Sequence, residues 1–260
     1  MKNIKTTIRL IFELSKNDFK VRYAASYLGI VWGIANPLIT LLVYWFVFEI
    51  GFRSGARPDG TPFIVWLACG MVMWFLVSES VSTSSNSFLE YSYLVKKVSF
   101  RIGILPIVKI ISSLYNHIIF LIILGVILLT NGVKPDITNI QFLYYLFCSI
   151  YLLTGIGLIT SSLVVFIRDI GQLVGIAVQI GFWLIPIVWS SEIIPDKYIY
   201  LFKLNPVYYL VEGYRDTFIE NVWFWHRYNQ SFYFWCISTI ILFIGYKLFK
   251  RLKPHFADVL

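Results

Sequence analysis

Six long apolar stretches alternate with shorter polar connections along the chain. They lie at about residues 28–50, 62–83, 104–130, 141–167, 171–190 and 230–248. Each is close to, or longer than, the roughly 20 residues that an α-helix needs to cross a bilayer. The pattern predicts an all-α integral membrane protein with six transmembrane helices, in which residues 1–260 form one transmembrane domain.

Residues 1–27 precede the first apolar stretch and have a helical pattern of their own. Apolar residues fall on one side, namely Ile4, Ile8, Ile11, Phe12 and Phe19. Charged residues fall on the other, namely Lys5, Arg9, Glu13, Lys16 and Lys20. Such an amphipathic helix lies in the headgroup plane of a membrane. Two roles stay open for it, namely anchoring the chain or contacting a substrate or partner.

Residues 191–229, before the sixth stretch, are too polar for a crossing and too apolar for a free loop. Two short apolar pieces flank Asn205-Pro206, and Tyr and Trp are frequent. This predicts a re-entrant or interfacial pair of helices on the outer side of the membrane. We expect an external cap that includes Tyr198, Tyr208, Tyr209 and Arg215, and a short tail over residues 249–260.

Composition agrees with a membrane protein, since 58% of the residues are hydrophobic and only 14% are charged. The formal net charge is +8, but the basic residues flank the apolar stretches instead of clustering on a polar domain. Anionic membrane lipids are therefore expected partners, and nucleic acid is not.

Lysine and arginine are distributed unequally between the two sides of the predicted membrane. One side carries Lys2, Lys5, Arg9, Lys16, Lys20, Arg22, Lys96, Lys97, Arg101, Arg168, Lys247, Lys250, Arg251 and Lys253. The other side carries Arg53, Arg57, Lys134, Lys197, Lys203, Arg215 and Arg227. Because cytoplasmic loops are enriched in positive charge, both termini are predicted to be cytoplasmic.

Several residues are unusual inside apolar spans. Asn36-Pro37 is expected to interrupt the first helix, because proline removes a backbone donor and crowds the preceding turn. Glu79 is a candidate to line a water-filled path through the membrane. Four aromatic residues in the spans are candidates for the lining of a channel, because aromatic faces can stack on sugar rings: Tyr44, Trp45, Phe48 and Trp183. The alternative is that they belong to an aromatic belt at the membrane interface. Lys109 is expected to reach towards the cytoplasmic interface.

The connection between the second and third spans mixes apolar and basic residues. Leu94, Lys96, Lys97, Phe100 and Arg101 belong to it. A loop facing only water does not need the apolar members, so a short segment that docks into another protein is one interpretation. A segment that rests on the membrane surface is the other.

Motifs for nucleotide binding or catalysis are missing from the sequence. It has no Gly-x-x-x-x-Gly-Lys-Ser/Thr phosphate loop, no metal-like spacing of His, Cys or carboxylates, and no Ser/His/Asp constellation. We expect no catalytic residue, metal or cofactor on this chain. His117 is interpreted as a hydrogen-bonding residue between helices, with a proton relay as the alternative.

Ordered landmarks along the chain carry a family resemblance. They are Arg22-Tyr-Ala-Ala-Ser-Tyr-Leu-Gly29, Trp32, Pro37-Leu38, Leu94 to Arg101, Leu105-Pro106, Arg168-Asp169, Pro186-Ile187, and Asn205-Pro206 leading to Tyr214-Arg215. Together they resemble the membrane subunits of ATP-binding-cassette polysaccharide exporters. The stretch from Leu94 to Arg101 resembles the cytoplasmic coupling region of that family. Family members often have Phe-Pro-Arg there, where this chain has Ser99-Phe100-Arg101.

The resemblance implies a homodimer with a channel between two subunits, and cytoplasmic ATPase subunits that bind ATP and Mg²⁺. It implies a multi-pass permease of the bacterial inner membrane that exports an undecaprenyl-pyrophosphate-type lipid-linked glycan. We expect Lys20 and Arg22 to attract the pyrophosphate, and the segment from Leu94 to Arg101 to couple to the ATPase. O-antigen, capsular polysaccharide and teichoic acid stay open as cargo.

Other functions remain in competition. A drug or lipid exporter of the same fold would share most of these landmarks. An ATP-independent transporter or channel would depend on Glu79 and His117. A membrane glycosyltransferase would need acidic or histidine clusters at one membrane face, which the sequence lacks.

Overall fold

The computed structural model describes residues 2–24, 27–29, 31–52, 60–97, 100–190, 193 and 195–260, without the side chains of residues 2–4 and 196. Arg53, Arg57, Val98 and Ser99, which entered the charge and coupling predictions, lie outside the described residues. The described ranges contain helices and no β-strand, which confirms the all-α prediction.

Twelve α-helices occur in these ranges, together with short 3₁₀ and π segments. The α-helices are α1 (Lys2–Ala24), α2 (Val31–Trp45), α3 (Phe63–Ser85), α4 (Ser87–Glu90), α5 (Ser92–Val95), α6 (Leu105–Thr130), α7 (Phe142–Val164), α8 (Asp169–Leu184), α9 (Asp196–Lys203), α10 (Pro206–Arg215), α11 (Tyr228–Leu252) and α12 (Phe256–Val259).

Five stretches of the described chain are long and apolar enough to cross a membrane. They are Val31–Gly51, Phe63–Ser85, Ile102–Thr130, Ile137–Val164 and Phe224–Val259. They correspond to the predicted first to fourth and sixth spans, which extend at most three residues beyond them, at the start of the first and second and at the end of the fourth. The predicted fifth span is the shorter helix α8, which has 16 residues. At 1.5 Å per residue this is about 24 Å, less than the roughly 30 Å hydrocarbon core. The chain continues from Ile185 to Trp189 without regular helix.

The predicted interruption at Asn36-Pro37 is wrong, because α2 continues through Pro37. A proline removes only one backbone donor, and the remaining backbone bonds hold this helix together. Thr40 Oγ1 also donates to the carbonyl oxygen of Asn36 at 2.8 Å. The helix changes character later, as a π-helix over Phe46–Gly51.

Helix α3 lies at the centre of the molecule. Its first two thirds are apolar on every side, which is typical of a helix buried all round. Leu67, Met71 and Met73 are fully buried there, with α2, α6, α7, α8 and α10 packed around them. Helix α2, in contrast, leaves most of its surface exposed.

Two glycines bring α7 and α11 into close contact. A Cβ atom on Gly245 would lie 2.6 Å from the carbonyl oxygen of Gly155, and one on Gly155 would lie 2.8 Å from the backbone nitrogen of Leu242. Real Cβ atoms do not approach other atoms this closely. Small residues therefore set the separation of these two helices.

A second apolar core forms where α3, α7 and α11 end and α6 begins. Its buried members are Phe88, Val95, Ile102, Leu105, Val165 and Phe256. Ring centroids of Phe88 and Phe256 lie 5.1 Å apart, and those of Phe88 and Phe249 lie 5.8 Å apart. The predicted tail over residues 249–260 is thus part of this core, since α11 extends to Leu252 and α12 packs through Phe256.

The predicted pair of short helices before the last span is present as α9 and α10. Asn205 and Pro206 mark the boundary between them, as their sequence suggests. Asn205 caps α10 by accepting a hydrogen bond from the backbone nitrogen of Val207 at 3.0 Å, and Pro206 occupies the first helical position.

Candidate functional site

Buried and partly buried ions join α1 to the helical bundle. Arg22 on α1 donates to Glu79 on α3, and its other terminal nitrogen donates to Asp18 at 3.1 Å and to Ser112 at 3.2 Å. Asp18 lies one turn before Arg22, so both side chains leave the same face of α1. We call the network around these ions the junction cluster; its members are Asp18, Arg22, Tyr23, Glu79, Glu90, Tyr91, Lys109, Ser112 and Asn116.

Lys109 on α6 is the second cation of the junction cluster. It donates to Asp18 at 2.5 Å and also to Glu90 at the end of α4. Its side chain is buried, so the expectation that it reaches out to the interface is wrong. A buried ammonium group needs a carboxylate partner, and Asp18 is close enough to provide one.

Polar neutral groups complete the junction cluster. Tyr91 donates from its hydroxyl to Asp18 at 2.7 Å. Asn116 donates to the hydroxyl of Tyr23 at 2.8 Å and to Glu79 at 3.0 Å. These contacts tie α1, α3, α6 and the segment that follows α3 into one unit.

The pKa values of the Asp18 carboxyl and the Tyr91 hydroxyl are shifted in opposite directions in the junction cluster. Burial alone would raise the pKa of the Asp18 carboxyl, but the hydrogen bond and charge of Lys109 outweigh burial and hold that pKa below its usual value. Burial, together with the hydrogen bond to Asp18, raises the pKa of the Tyr91 hydroxyl, which therefore stays a donor.

The two residues predicted to attract a pyrophosphate differ in their surroundings. Arg22 already pairs with Glu79 and Asp18, whereas Lys20 is exposed. Positions two apart on a helix point about 200° apart, so both side chains do not face one ligand. A pyrophosphate would compete with two carboxylates for Arg22, while Lys20 is directly accessible. Their role in substrate binding stays a prediction.

An open cleft of about 350 Å³ lies between α2, α3 and α8. Two predicted lining residues, Tyr44 and Trp183, meet here. The ring of Tyr44 stacks on Phe182 at 5.2 Å, and Phe182 contacts Trp183 edge to face at 5.3 Å. Thr40 and Gln179 supply polar atoms to the same cleft. Aromatic walls with a few polar groups are typical of ligand-binding clefts in general.

The other predicted lining residues lie elsewhere. Trp45 and Phe48 pack against the apolar core, and Phe48 stacks on Phe63 at 6.3 Å. Glu79 belongs to the junction cluster. Thr40 and Gln179 were missed by the sequence reasoning, although each lies four residues before a predicted lining aromatic and therefore on the same helical face.

The predicted coupling residues divide into an inner and an outer set. Leu94 and Phe100 pack against the second apolar core. Lys96, Lys97 and Arg101 are exposed, and Arg101 donates to the hydroxyl of Thr7 on α1 at 3.2 Å. The segment thus presents basic groups to the outside while its apolar residues fix its position.

Three of the four residues assigned to the external cap are inside the protein. Tyr208, Tyr209 and Arg215 are buried, whereas Tyr198 is exposed. Arg215 donates to the carbonyl oxygens of Pro186 at 2.7 Å and Ile187 at 3.0 Å.

The guanidinium of Arg215 has further contacts that fix its place. It pairs with Glu212 at 2.5 Å and lies 3.6 Å from the ring centroid of Trp66. Its hydrogen bonds satisfy backbone carbonyls that the end of α8 leaves without helical partners. The residue therefore stabilises the irregular stretch after α8.

His117 bridges two helices. Its Nε2 atom lies 2.8 Å from the hydroxyl oxygen of Tyr214 on α10, which agrees with the interpretation as an interhelical hydrogen bond. Within the described ranges, no group of three or more His, Cys, Asp or Glu residues is placed to hold a metal ion.

The fold defines a multi-pass helical membrane protein with an aromatic cleft along its side and a basic segment at one end. The profile of the ABC-2 type transporter family matches residues 9–219. The chain belongs to this family and is a transport subunit, which confirms the family resemblance of the sequence. Membership implies association with an ATP-binding-cassette ATPase subunit.

Curated relatives match nearly the whole chain. Two O-antigen export system permease proteins RfbA from Klebsiella pneumoniae are 27% and 26% identical over 259 residues, which is 99% of this chain and 97% of each relative. An O-antigen export system permease protein RfbA from Myxococcus xanthus is 23% identical over 254 residues, which is 96% of this chain and 94% of the relative.

Proposed function

We propose that this chain is the membrane subunit of an ATP-driven exporter that moves a lipid-linked polysaccharide of the O-antigen type across the bacterial inner membrane. The observation that carries the proposal is its similarity, over 94–97% of their length, to relatives named for O-antigen export. The aromatic cleft supports it, because a glycan offers apolar ring faces to aromatic walls and hydroxyls to residues such as Gln179.

Nucleotide hydrolysis belongs to a separate partner chain in this proposal. The sequence has no phosphate loop, so ATP and Mg²⁺ would be bound by the ATPase subunit. The exposed basic residues Lys96, Lys97 and Arg101 form the contact surface for that subunit. Lys and Arg are concentrated on the same side, which supports cytoplasmic termini.

A second copy of the chain completes the translocation path. Leu42 and Val43 of α2 are exposed, as is Phe46 at the start of the π-helix that follows it. On α8 the exposed residues are Ile176, Ile180 and Trp183. The cleft opens between these two helices, so a partner copy facing it would enclose the path between two sets of aromatic walls. Lys20, at the end of α1, is the accessible cation for the pyrophosphate that links lipid to glycan.

Export assays in cells that lack the native permease test this function. Cells complemented with this chain and its ATPase should display the glycan at the surface, whereas cells without it should accumulate the lipid-linked glycan inside. A Tyr44→Ala, Trp183→Ala variant should lose most surface glycan, whereas Phe232→Ala, an exposed aromatic on α11 away from the cleft, should not. Surface glycan at normal levels without the chain would contradict the proposal.

The purified complex provides a biochemical version of the same test. With the ATPase subunit in proteoliposomes, lipid-linked O-antigen should stimulate ATP hydrolysis. Stimulation by teichoic acid precursors or a drug instead would reassign the substrate within the same family. Transport that proceeds without ATP would refute the ATP-driven mechanism.

A further inference from the structure

Helix α2 forms one wall of the aromatic cleft, but its first half has little packing of its own. From Val31 to Thr40 each residue of α2 is exposed or half-buried, and Leu41 is the first one that is buried. Thr40 and Tyr44 belong to the wall, since both line the cleft. A contact that holds the first half of α2 therefore also positions the wall.

The ring of Tyr23 on α1 lies against the backbone of α2 at Gly33. A Cβ atom on Gly33 would lie 2.4 Å from Tyr23 Oη and 2.7 Å from Tyr23 Cζ, whereas ordinary contacts begin at 3.4 Å. Any side chain at this position would need about 1 Å more room, which is the difference between 3.4 and 2.4 Å. Because glycine has no side chain, α2 rests directly on the phenol ring, and the ring sets how far α2 stands from its neighbours.

Neighbours on α1 and α6 hold the Tyr23 ring in place. Its hydroxyl accepts a hydrogen bond from the side-chain nitrogen of Asn116 at 2.8 Å, and Asn116 is buried. The same nitrogen donates to Glu79 at 3.0 Å, which fixes the orientation of the amide. Phe19 meets Tyr23 edge to face at 5.3 Å and lies 5.2 Å from the ring of Tyr115 on α6. Moving the ring would break these contacts, so bulk added on α2 displaces that helix instead.

Gly33 lies on the same face of α2 as the two residues that line the cleft. Thr40 follows it by seven positions and Tyr44 by eleven. At about 100° per residue these separations are about 700° and about 1100°, each within about 20° of whole turns. A displacement of α2 at Gly33 is therefore directed along the face that lines the cleft. It changes the separation of α2 from Gln179 and Trp183, which line the cleft from α8.

We propose that Tyr23 is a positioning residue for transport, which acts as a spacer between α2 and the helical bundle and so aligns the cleft for the glycan. This inference rests on the proposed function, which supplies the substrate. Tyr23 is joined to the junction cluster by its hydrogen bond with Asn116. The cluster therefore affects the affinity for glycan, although its ions do not line the cleft.

Gly33→Ala tests the spacer through the concentration of glycan that the transporter needs. The assay is ATP hydrolysis in proteoliposomes that contain the chain and its ATPase subunit, with lipid-linked O-antigen added. Gly33→Ala should raise the half-saturating concentration of this glycan roughly tenfold, because a misplacement of about 1 Å is costly in a site that depends on geometry. Gly51→Ala lies in the same span with open space around the added methyl group, so it should leave that concentration unchanged.

The two parameters of this assay separate positioning from folding. A variant that only folds poorly yields fewer active complexes, which lowers the maximal rate and leaves the half-saturating concentration as it was. A native half-saturating concentration in Gly33→Ala, with or without a lower maximal rate, would overturn the proposal.

A compensating substitution gives a stricter test. Tyr23→Leu removes Oη, Cζ and Cε1, the three atoms closest to a methyl group on Gly33. Alone, it removes the spacer and should also raise the half-saturating concentration. Combined with Gly33→Ala, it should bring that concentration closer to the native value than either single variant does, because the methyl group then occupies space that the ring has left. Additive losses in the double variant would refute the spacer.

A distance measurement in the purified permease tests the geometry without any substrate. Spin labels at Asn36 on α2 and Leu173 on α8, both exposed and outside the cleft lining, report the separation of the two helices. Cys236→Ser removes the exposed native thiol beforehand, and an excess of unlabelled chain keeps the labelled pairs within one copy. Gly33→Ala should change the mean distance by about 1 Å or more, whereas Gly51→Ala should not.

The two experiments fail in different ways. Equal distances in Gly33→Ala and in the native chain would refute the inference, whatever the substrate. If lipid-linked O-antigen does not stimulate the native complex, the proposed function is wrong, and the distances alone decide whether Tyr23 places α2.

Discussion

Replacing Lys109 by Met removes a cation that Asp18 and Glu90 share while keeping an unbranched side chain of similar length. The side chains of Lys109 and Asp18 are both only 6% exposed, whereas that of Glu90 is 51% exposed. Removing one partner of a buried pair costs about 3–5 kcal/mol, and an exposed partner adds less than about 1 kcal/mol. Because Arg22 and Tyr91 still contact Asp18, we expect a loss near the lower end, about 3 kcal/mol.

Equilibrium unfolding of the purified chain in mixed detergent micelles measures this loss. Lys250→Met is the matched control, because Lys250 is exposed near the end of α11 and its loss should cost less than about 0.5 kcal/mol. The Asp18→Asn, Lys109→Met double variant removes both buried charges. It should be clearly more stable than the sum of the two single losses predicts, since neither charge is left unpaired.

Two results would refute this account of the junction cluster. A loss below about 1 kcal/mol for Lys109→Met would show that Asp18 does not depend on this cation. Strict additivity in the double variant would show that the two residues do not stabilise each other, whatever their distance.

Three further predictions concern other parts of the fold. The folded-state pKa of Asp18 lies below its unfolded value of about 3.9, so the stabilisation by its charge is complete above about pH 4 and is lost as the pH falls further. The free energy of unfolding should therefore fall less steeply with decreasing pH in Asp18→Asn than in the native chain. Gly245→Ala should destabilise by about 1–3 kcal/mol in the same unfolding assay, since the new methyl group meets the backbone of Gly155, whereas Gly125→Ala, with open space around it in the described structure, should not destabilise. Arg215→Met should cost about 3–5 kcal/mol by leaving Glu212 unpaired and two carbonyls without their donor, and a loss below about 1 kcal/mol would contradict that role.

Helices could be predicted from this sequence because each one depends mainly on a local property. Apolar runs of sufficient length determine α3, α6, α7 and α11, and the Asn205-Pro206 pair marks the start of α10 by itself. The shortness of α8 was not predictable in the same way. Its apolar run continues past Leu184, and the irregular continuation is stabilised by the distant Arg215, which donates to the carbonyl oxygens of Pro186 and Ile187.

The site residues were predictable one by one but not as partners. Arg22, Glu79 and Lys109 are separated by long stretches of chain, and nothing in the local sequence indicates that they meet. A lone buried charge in a span is costly, so each of them predicts some partner without naming it. The cleft shows the same limit. Tyr44 and Trp183 line it, whereas Trp45 and Phe48, which the sequence singled out on the same grounds, do not.

The packing of Phe88 against Phe256 has a consequence for biosynthesis. The two rings are separated by about 170 residues of chain, which takes on the order of ten seconds to translate at ordinary elongation rates. During that interval the segment after α3 has been made but lacks the residue that closes its core. The core beside α4 and α5 is therefore completed only after α12 has been synthesised.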